Sequence, residues 1–509
     1  MKIDLINKIK KTIGFSCKKN ERDDFALLIG RSRIFNSIYL VFCALALNKK
    51  KGINQFFLNE KSLISSEKNL FINFGIRPKN YSDNVKFLNI CVILIKSVFL
   101  LAKGLFLIFS KDLDYFVKNF KVADIYIGDL IFDSYVRHKH RFLNPKFDLY
   151  FGYYLLLGVY KTLLFNDFFD KKKLKYLVVA SHTYANTTGV SVRVALKKNI
   201  KVIISTHSEF LNFTTQKLDK GKYYINTKDN LKKLKQIDYS NKKFNKFFKK
   251  RKKINSGFSF TGKKDILNAY GSKRIISRRE LIKKIKINKN NFQRIIVIAP
   301  HAFSDAPHSN GRLFLFTDYF AQLKETLNYV QKFKKILWIV RPHPTGKDYG
   351  EQGIVENLVS KIKSSNIKMC PKNINTDNLI NITDGVITGR GKIALEYTSS
   401  GKPAMIAGKC SFSDLGFLIE PKNKRQYFSS LKKFSKMKKL NAKKISRARN
   451  TIVYLEKYQD SFVKNNLIPP FKNKNIKFVL KGIENNLKYN KNFLSSKYFL
   501  DISNKINSL

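Results

Sequence analysis

The stretch Gly385–Ala407, with the sequence GVITGRGKIALEYTSSGKPAMIA, decides the fold. Its pattern predicts a strand, a tight turn, a helix and a second strand, in that order, at Gly385–Thr388, Gly389–Gly391, Lys392–Ser400 and Ala404–Ala407. Strands that alternate with helices form parallel sheets, and such sheets bind ligands beyond the carboxyl ends of their strands. The stretch therefore predicts an α/β fold with a binding site after its first strand.

The same alternation extends along the chain. Apolar, β-branched runs predict further strands at Val122–Ile127, Leu174–Ala180, Ile200–Ser205, Arg294–Ala299 and Ile336–Val340. Helical spacing of apolar residues is present at Gly189–Lys198 and Phe320–Lys332. The predicted organisation is a helical N-terminal region at 1–120, a doubly wound α/β domain at 121–225, a basic linker region at 226–290, a second α/β domain at 291–425 and a basic helical tail at 426–509. For residues 1–120, the alternative is that they complete the first sheet.

The composition limits the classes of partner. The chain has 98 Lys and Arg against 36 Asp and Glu in 509 residues, a net charge of +62. Lysine, Asn, Ile and Phe are abundant together, which favours the bias of an AT-rich genome; attraction to an anionic membrane surface is the alternative. Because the lysines are spread over the chain instead of forming one patch, nucleic acid is not an expected partner.

The five cysteines and the N-terminus bear on the compartment. The cysteines lie far apart and form no Cys-x-x-Cys pair, which excludes a zinc ribbon and a redox dithiol. Residues 1–19 contain no uninterrupted apolar segment of the secretory type. We therefore expect reduced thiols and a cytoplasmic location.

The apolar segment Phe87–Ser110 is long enough to span a bilayer. Asn89, Lys96 and Lys103 recur every seven residues within it and therefore share one helical face. A lysine near the bilayer centre costs about 2.5–3.5 kcal/mol on insertion scales. A helix packed on a domain or lying in the headgroup plane avoids this cost, so we expect one of these two arrangements.

The turn Gly389-Arg390-Gly391-Lys392 is a candidate phosphate site. A strand that passes through glycines into a helix directs backbone N–H groups and the helix dipole towards a ligand. Arg390 and Lys392 add positive charge, and Glu396, one turn into the helix, is placed to reach ribose hydroxyls. The alternative is an ordinary tight turn with Glu396 on a solvated face.

The sequence Arg341-Pro342-His343-Pro344 ends the preceding strand at the same sheet edge. The two prolines stiffen the loop and fix His343. Arg341 and His343 are two residues apart, which on a strand directs both side chains to one side and suits a shared anion. A structural hydrogen bond of His343 is the alternative.

The loop His301–His308, HAFSDAPH, predicts contacts with a substrate through His301, Ser304, Asp305 and His308. No cysteine or carboxylate-rich partner accompanies the two histidines, so we expect no metal. Three more candidates, Asp129, His182 and His207, follow predicted strands. For Asp129 the alternative is a helix N-cap.

These stretches resemble a known group of proteins. The paired α/β units, the RPHP sequence and GRGKIALEYTSSGKPAMI at Gly389–Ile406 resemble GT-B-type enzymes of bacterial surface-polysaccharide synthesis. Relatives within this group are capsule Kdo transferases, CDP-glycerol glycerophosphotransferases and UDP-sugar 2-epimerases. GDLIFDSY at Gly128–Tyr135 and HAFSDAPH at His301–His308 look like segments of capsule-type proteins. The resemblance covers about Val122–Gly416.

The resemblance implies a GT-B-like fold of two Rossmann-like domains facing each other. It implies that the second domain holds a nucleotide sugar as substrate, without a separate cofactor or metal. Arg341, His343 and Gly389–Lys392 would contact the phosphates, and Glu396 the ribose. Catalysis would involve His343 and, on the acceptor side, His207 or Asp129. IKVIISTH at Ile200–His207 resembles the element that carries a catalytic histidine in glycerophosphotransferases, although Ser208 stands where that family has glycine.

The function expected from these features is a metal-independent glycosyltransferase that extends a capsule-type or lipopolysaccharide-type glycan. Its acceptor would be a lipid-linked or glycan molecule, and it would work as a peripheral protein on the anionic inner face of the cytoplasmic membrane. One alternative is a CDP-polyol phosphotransferase of the same fold. An alternative of another class is a non-catalytic protein that binds nucleic acid or an anionic surface.

Overall fold

The computed structural model divides the chain into two compact units. The first comprises Met1–Tyr135, Lys146–Tyr224 and Lys457–Leu509, and the second comprises Val136–Pro145 and Ile225–Glu456. The structure describes the chain except for residues 1–5, 8–9, 12, 22, 31–33, 61–62, 139, 144–146, 170–171, 206–209, 213–217, 220–221, 224–242, 246–276, 288–291, 310–313, 345, 372–373, 456–493, 495–496 and 508–509.

The first unit is built on one six-stranded sheet. The strands of this unit are β1 Phe25–Ile29, β2 Asn54–Leu58, β3 Arg77–Lys79, β4 Lys121–Val122, β5 Ile125–Tyr126, β6 Leu174–Val179, β7 Lys201–Ser205, β8 Phe210–Asn212, β9 Leu218–Asp219 and β10 Lys222–Tyr223. The main sheet has the order β3-β2-β1-β6-β7-β8, and all its neighbours are parallel except β7 and β8. The order and the parallel pairing are those of a Rossmann-like unit.

Several helices come before β7 in the chain. They are α1 Ile34–Lys51, α2 Ser65–Asn73, α3 Phe87–Ser110, α4 Leu113–Asn119, α5 Gly128–Arg137, α6 Leu149–Phe168 and α7 Gly189–Lys197. These helices belong to the first unit, except that the last two residues of α5 belong to the second unit. Among the described residues, α3 is the one helix that is long and apolar enough to cross a membrane, judged by length and composition alone.

The prediction of a separate helical N-terminal region at 1–120 is wrong. Three strands of the main sheet, β1, β2 and β3, come from this region, and β1 lies in the centre beside β6. All five residues of β1 are buried. A short, fully buried apolar run such as FALLI has no alternating pattern, so periodicity does not separate it from a helical segment.

The predicted strand at Val122–Ile127 is an antiparallel hairpin, formed by β4 and β5. Its two central residues, Ala123 and Asp124, have φ angles of 47° and 59°. Positive φ at both central residues is the geometry of the tight turn that joins hairpin strands. The hairpin stands apart from the parallel sheet, so Asp129 does not follow a strand of that sheet.

The second unit is a five-stranded parallel sheet with helices. Its elements are α8 Arg278–Lys284, β11 Arg294–Ala299, α9 Tyr319–Val330, β12 Ile336–Val340, α10 Ile354–Ile362, β13 Ile367–Met369, α11 Thr376–Ile382, β14 Gly385–Thr388, α12 Ile393–Ser399, β15 Ala404–Ile406, α13 Lys424–Lys433 and α14 Ala442–Val453. The strand order is β13-β12-β11-β14-β15, and every pair is parallel. The two Rossmann-like units confirm the α/β, GT-B-like fold class.

Most predicted elements of both sheets are present. The strands β6, β7, β11, β12, β14 and β15 and the helices α7, α9 and α12 agree with the prediction within a residue or two at each end. Helix α3 has the predicted bounds. Within the linker region, Ser277 and Glu280 form a capping box at the start of α8, whereas most of 226–290 lies outside the described residues.

The segment predicted as a tail at 426–509 is divided between the units. Ala448, Ile452 and Val453 of α14 belong to the core of the second unit. The last helix, α15 Lys497–Asn507, places Phe499, Ile502 and other residues in the core of the first unit with α1. Residues 456–493 lie outside the described residues, so a continuous helical tail stays a prediction.

An ion pair joins α5 to α7 in the first unit. Both carboxylate oxygens of Asp129 accept hydrogen bonds from the Arg193 guanidinium, each at 2.6 Å, and Arg193 also donates to the carbonyl of Tyr126. The Arg193 side chain is 4% exposed. Asp129 therefore forms a structural ion pair at the start of α5, and its catalytic role stays a prediction.

We expect Arg193→Ala to lower the free energy of unfolding by about 3–5 kcal/mol, because it leaves the Asp129 charge buried without its partner. The matched control is Lys118→Ala, which breaks the partly exposed i,i+4 pair with Asp114; its expected cost is below about 0.5 kcal/mol. Denaturant unfolding followed by circular dichroism measures both. Equal, small effects would contradict the structural role given to Asp129.

Candidate active site

The candidate site lies at the carboxyl edge of the second sheet. Strand β11 has β12 on one side and β14 on the other, so the chain leaves the sheet at three neighbouring positions. The connections from these strands run in opposite directions across the sheet, which makes the β11–β14 boundary a topological switch point. The residues that follow are His301 after β11, His343 after β12 and Arg390 after β14.

Three aromatic rings stack in the site, those of His301, His343 and Tyr319. The His301 ring lies 4.6 Å from Tyr319 and 5.3 Å from His343, measured between ring centres, with interplanar angles of 16° and 22°. His301 and His343 come from the ends of β11 and β12, and Tyr319 is the first residue of α9. The stack holds His343 in place, and no sequence motif indicated Tyr319.

Both histidines are held in the neutral form. Burial, together with the nearby Arg390 charge, lowers the pKa of His301 to about 4. Burial and the neighbouring His301 lower the pKa of His343 to about 3, against the opposing effect of Asp305. At neutral pH each ring therefore offers one hydrogen-bond donor and one acceptor. The 3.8 Å contact from His301 Nδ1 to Asp305 Oδ2 is then not an ion pair.

Arg390 places a buried positive charge beside these rings. The residue is 7% exposed, and its guanidinium lies 5.7 Å from the centre of the Phe314 ring. Its charge acts on both His301 and Asp305. A guanidinium held in a largely desolvated place interacts with an anion more strongly than the same group does in water.

Asp305 is surrounded by polar groups from several loops. Burial raises its pKa, while His343, Arg137, a hydrogen bond with Tyr349 and Arg390 oppose the rise. The Arg137 guanidinium lies 5.8 Å from the Tyr349 ring centre, and burial raises the Tyr349 pKa. Arg137 and Tyr349 are site residues that the sequence motifs did not reveal.

Glu351 fixes the loop that carries these groups. Its carboxylate accepts hydrogen bonds from the backbone N–H groups of Phe303 and Ser304 and from the Ser304 hydroxyl, all at 2.9 Å. Burial raises the pKa of Glu351, and these three hydrogen bonds oppose the rise. The signal in the sequence was weak: a carboxylate in a Gly-flanked turn, Gly350–Gly353, of a chain poor in acidic residues.

Two of the predicted substrate contacts are structural instead. The Ser304 hydroxyl donates to Glu351. His308 is 1% exposed; its Nδ1 accepts from the Phe314 N–H at 3.5 Å, so its Nε2–H donates to the Thr317 carbonyl at 2.7 Å. Ser304 and His308 therefore hold the loop together, and His301 and Asp305 are the members of the predicted set that line the site.

Packing within the protein explains the two glycines of the turn Gly389–Gly391. A Cβ atom at Gly389 would lie 2.9 Å from the Tyr319 ring, and one at Gly391 would lie 2.8 Å from the Thr388 hydroxyl oxygen. The Gly391 N–H donates to that hydroxyl at 3.3 Å. The protein alone therefore requires these glycines, so their presence is not in itself a sign of phosphate.

The other predicted donor contacts are dispersed. Lys392 is exposed before α12, whereas Glu396 is 3% exposed inside that helix. The charge of Arg341 acts on Cys370 and Tyr397. Strand β12 ends at Val340, so the strand alternation that predicted a shared side for Arg341 and His343 does not extend to them.

Two of the candidate histidines belong to the first unit. His182 is half-buried after β6, in a turn where the Ser181 and Thr183 hydroxyls lie 3.2 Å apart. His207, the predicted base, lies outside the described residues. Within the described ranges, no three His, Cys, Asp or Glu side chains are grouped closely enough to hold a metal ion.

No protein-family model matches the chain, and no curated protein matches its sequence. Solved structures do match. UDP-GlcNAc 2-epimerase from Neisseria meningitidis is 12% identical, with 84% of this chain and 98% of that chain covered and a TM-score of 0.26. KpsC, β-Kdo 2,4 transferase, from Thermosulfurimonas dismutans is 10% identical, with 55% and 80% covered and a TM-score of 0.29.

A glycosyltransferase from Rickettsia africae is 12% identical, with 92% of this chain and 99% of that chain covered and a TM-score of 0.27. The three matched structures are enzymes of the kinds that the sequence resembles. Because their identities to this chain are 10–12%, we take neither residue roles nor activity from them.

The lowered pKa of His301 predicts a loss of stability in acid. Between the ordinary pKa of 6.5 and the value of about 4 in the folded protein, the unfolded chain binds more protons, so the free energy of unfolding falls as the pH falls. From pH 7 to pH 5 a shift of this size removes about 2 kcal/mol.

Denaturant unfolding of the unaltered protein and of His301→Gln at these two pH values measures this effect. The variant should lose about 2 kcal/mol less than the unaltered protein, because glutamine does not titrate. The same pH-dependent loss in both proteins would mean that His301 is not held neutral by its surroundings.

Proposed function

We propose that the protein transfers a sugar from a nucleotide-activated donor to a growing bacterial surface polysaccharide. In this proposal the donor phosphates bind beside His301, His343 and Arg390. The observation that carries it is the gathering of a buried guanidinium and two neutral histidines at the switch point of a parallel sheet. Sheets of this kind bind nucleotides at that place, and the RPHP and GRGK sequences that resemble polysaccharide enzymes meet there.

In this proposal the site stabilises the leaving group of the transfer reaction. In the transfer, the bond between the anomeric carbon and the phosphate oxygen breaks, and a bond from that carbon to an acceptor hydroxyl oxygen forms. Negative charge then develops on the departing nucleotide. Arg390 is already desolvated and fixed, so it stabilises this charge without reorganising.

The two histidines complement Arg390 as neutral donors. A neutral imidazole gives one N–H to a phosphate oxygen, and bound phosphate in turn raises the imidazole pKa, since it favours the protonated ring. The acceptor hydroxyl loses its proton to a base, for which His207 remains the prediction from the sequence. The Asp305 carboxylate offsets part of the positive charge of Arg390.

The proposal is tested by supplying purified protein with CMP-, UDP-, GDP- and CDP-activated donors. Binding is measured by calorimetry, and products are measured by mass spectrometry. Release of the nucleotide with transfer to a glycan acceptor supports the proposal. Transfer of a polyol phosphate from a CDP-polyol, or epimerisation of the sugar without transfer, would replace it with another activity, and no binding of any donor would refute it.

Substitutions test the placement of the site. We expect Arg390→Gln and His343→Gln each to lower kcat by about 10²–10³, the loss typical of removing one fixed donor to developing charge. The effect on KM should be smaller, because the contact is strongest in the transition state. Steady-state kinetics with the donor found above measures both constants.

Arg294→Gln is the matched control. Arg294 begins β11 at the opposite edge of the same sheet, where it is partly exposed and lies 3.5 Å from Asp384. We expect its kcat to stay near that of the unaltered protein. Full activity of both Arg390→Gln and His343→Gln would show that the donor phosphates bind elsewhere.

A further inference from the structure

Helix α3 carries its apolar side chains on the outside of the first unit. Only Ile93, Ser97, Gly104 and Ile108 are buried among its 24 residues. These four lie on one face, and the opposite face is formed by exposed apolar side chains. Phe99 and Phe109, for example, are 73% and 75% exposed. A water-facing helix normally has the reverse arrangement, with charged residues opposite its buried face.

Helix α6 extends this surface. It packs along α3 and presents exposed Leu149, Tyr150, Tyr153 and Leu156 beside it. An open groove of about 440 Å³ between the two helices is lined by Leu94, Ile95, Val98, Tyr153, Leu156, Leu157 and Tyr160. We call the combined surface the α3–α6 face; its exposed members are Leu88, Ile95, Val98, Phe99, Phe106, Phe109, Leu149, Tyr153 and Leu156. Continuous apolar surfaces of this kind mark interaction sites.

Lysines border this face. Lys96 and Lys103 are exposed and lie roughly a quarter turn around α3 from the outermost apolar side chains, as 3.6 residues per turn requires. Lys86 and Lys111 flank the two ends of the helix and are also exposed. The segment Phe87–Ser110 contains no acidic residue. An apolar face with a cationic border matches the hydrocarbon and headgroup layers of an anionic leaflet.

Helix α3 packs lengthwise against the rest of the first unit, which argues against its crossing a membrane. A Cβ atom at Gly104 would lie 3.0 Å from Leu155 of α6 and 3.2 Å from Phe120. Lifting α3 out to cross a bilayer would break this close contact and expose Ile93 and Ile108. Lying in the plane of the headgroups preserves the contact, because the buried residues stay against the protein.

The charges around the α3–α6 face favour lipid over a second copy of the chain as its binding partner. Two such faces in contact would bring Lys96 and Lys103 of both copies together, and α3 offers no carboxylate to neutralise them. The net charge of +62 adds repulsion between whole chains. Anionic headgroups, by contrast, neutralise these lysines.

We propose that the α3–α6 face docks the protein in the plane of an anionic lipid bilayer, with the apolar side chains below the headgroups and Lys96 and Lys103 among them. The docking does not depend on the activity proposed for the second unit. It assigns a function to a surface whose side chains have no role in the candidate active site.

Vesicle cosedimentation with the full chain tests the proposal. Vesicles of phosphatidylcholine alone are compared with vesicles that also contain phosphatidylglycerol. Phe99→Glu with Phe106→Glu should weaken binding about 100-fold, from the apolar burial that two phenylalanines lose. Lys96→Gln with Lys103→Gln should weaken binding about 30-fold, and only on the anionic vesicles.

Ile64→Glu with Ile72→Glu is the matched control. Both isoleucines are exposed, and they lie beside or within α2 of the same unit; neither belongs to the α3–α6 face as defined above. This variant should bind vesicles like the unaltered protein. Equal binding by the Phe99/Phe106 variant, or concentration-dependent dimerisation that this variant abolishes without any vesicle binding, would overturn the proposal.

A fluorescence measurement reports insertion directly. The chain has one tryptophan, Trp338, which is fully buried in the second unit. Phe99→Trp adds an exposed one, and lipids brominated on their acyl chains should quench it while leaving Trp338 unquenched. Ile72→Trp should show no added quenching. Equal quenching of the two introduced tryptophans, or none of either, would contradict docking through α3.

Discussion

Parallel pairing of β11 with both of its neighbours is the constraint on which the candidate site depends. Because β12, β11 and β14 run in the same direction, their carboxyl ends meet at one edge of the sheet. His301, His343 and Arg390 are far apart in the sequence and come together only for this reason. Antiparallel pairing of β14 would have placed Arg390 at the opposite edge.

The net charge of the site depends on the different roles of its two carboxylates, Glu351 and Asp305. Glu351 is committed to two backbone N–H groups and one hydroxyl of the loop, so its charge anchors the loop. Asp305 remains as the carboxylate near Arg390 and Arg137, and burial weakens its ionisation by raising its pKa. The neutral histidines add no charge at neutral pH. The balance favours an anionic ligand, which is what the proposed nucleotide donor requires.

The sequence predicted four of the five strands of the second unit and the bounds of α3, because these have strong local patterns; it missed β13, which is only three residues long. Long β-branched runs ended by polar turns indicate buried parallel strands. The pattern failed for β1, whose residues Phe25–Ile29 are buried on both faces, and for Arg341, which lies just beyond the end of its strand. Tertiary packing brings three further residues to the site, Tyr319, Tyr349 and Glu351. Such packing leaves no periodic pattern in the sequence.

For helix α3 as well, the local sequence pattern was not sufficient to predict which face is buried. The seven-residue spacing of Asn89, Lys96 and Lys103 correctly placed these residues on one face, but it did not say which side of the helix meets the protein. Gly104 decides this, because its close approach to Leu155 and Phe120 fixes the buried face. Lys96 and Lys103 then lie at the side of the helix, and the outermost face is left to Phe99 and its apolar neighbours. Local periodicity thus finds a polar stripe, and packing determines whether that stripe faces water or borders an apolar surface.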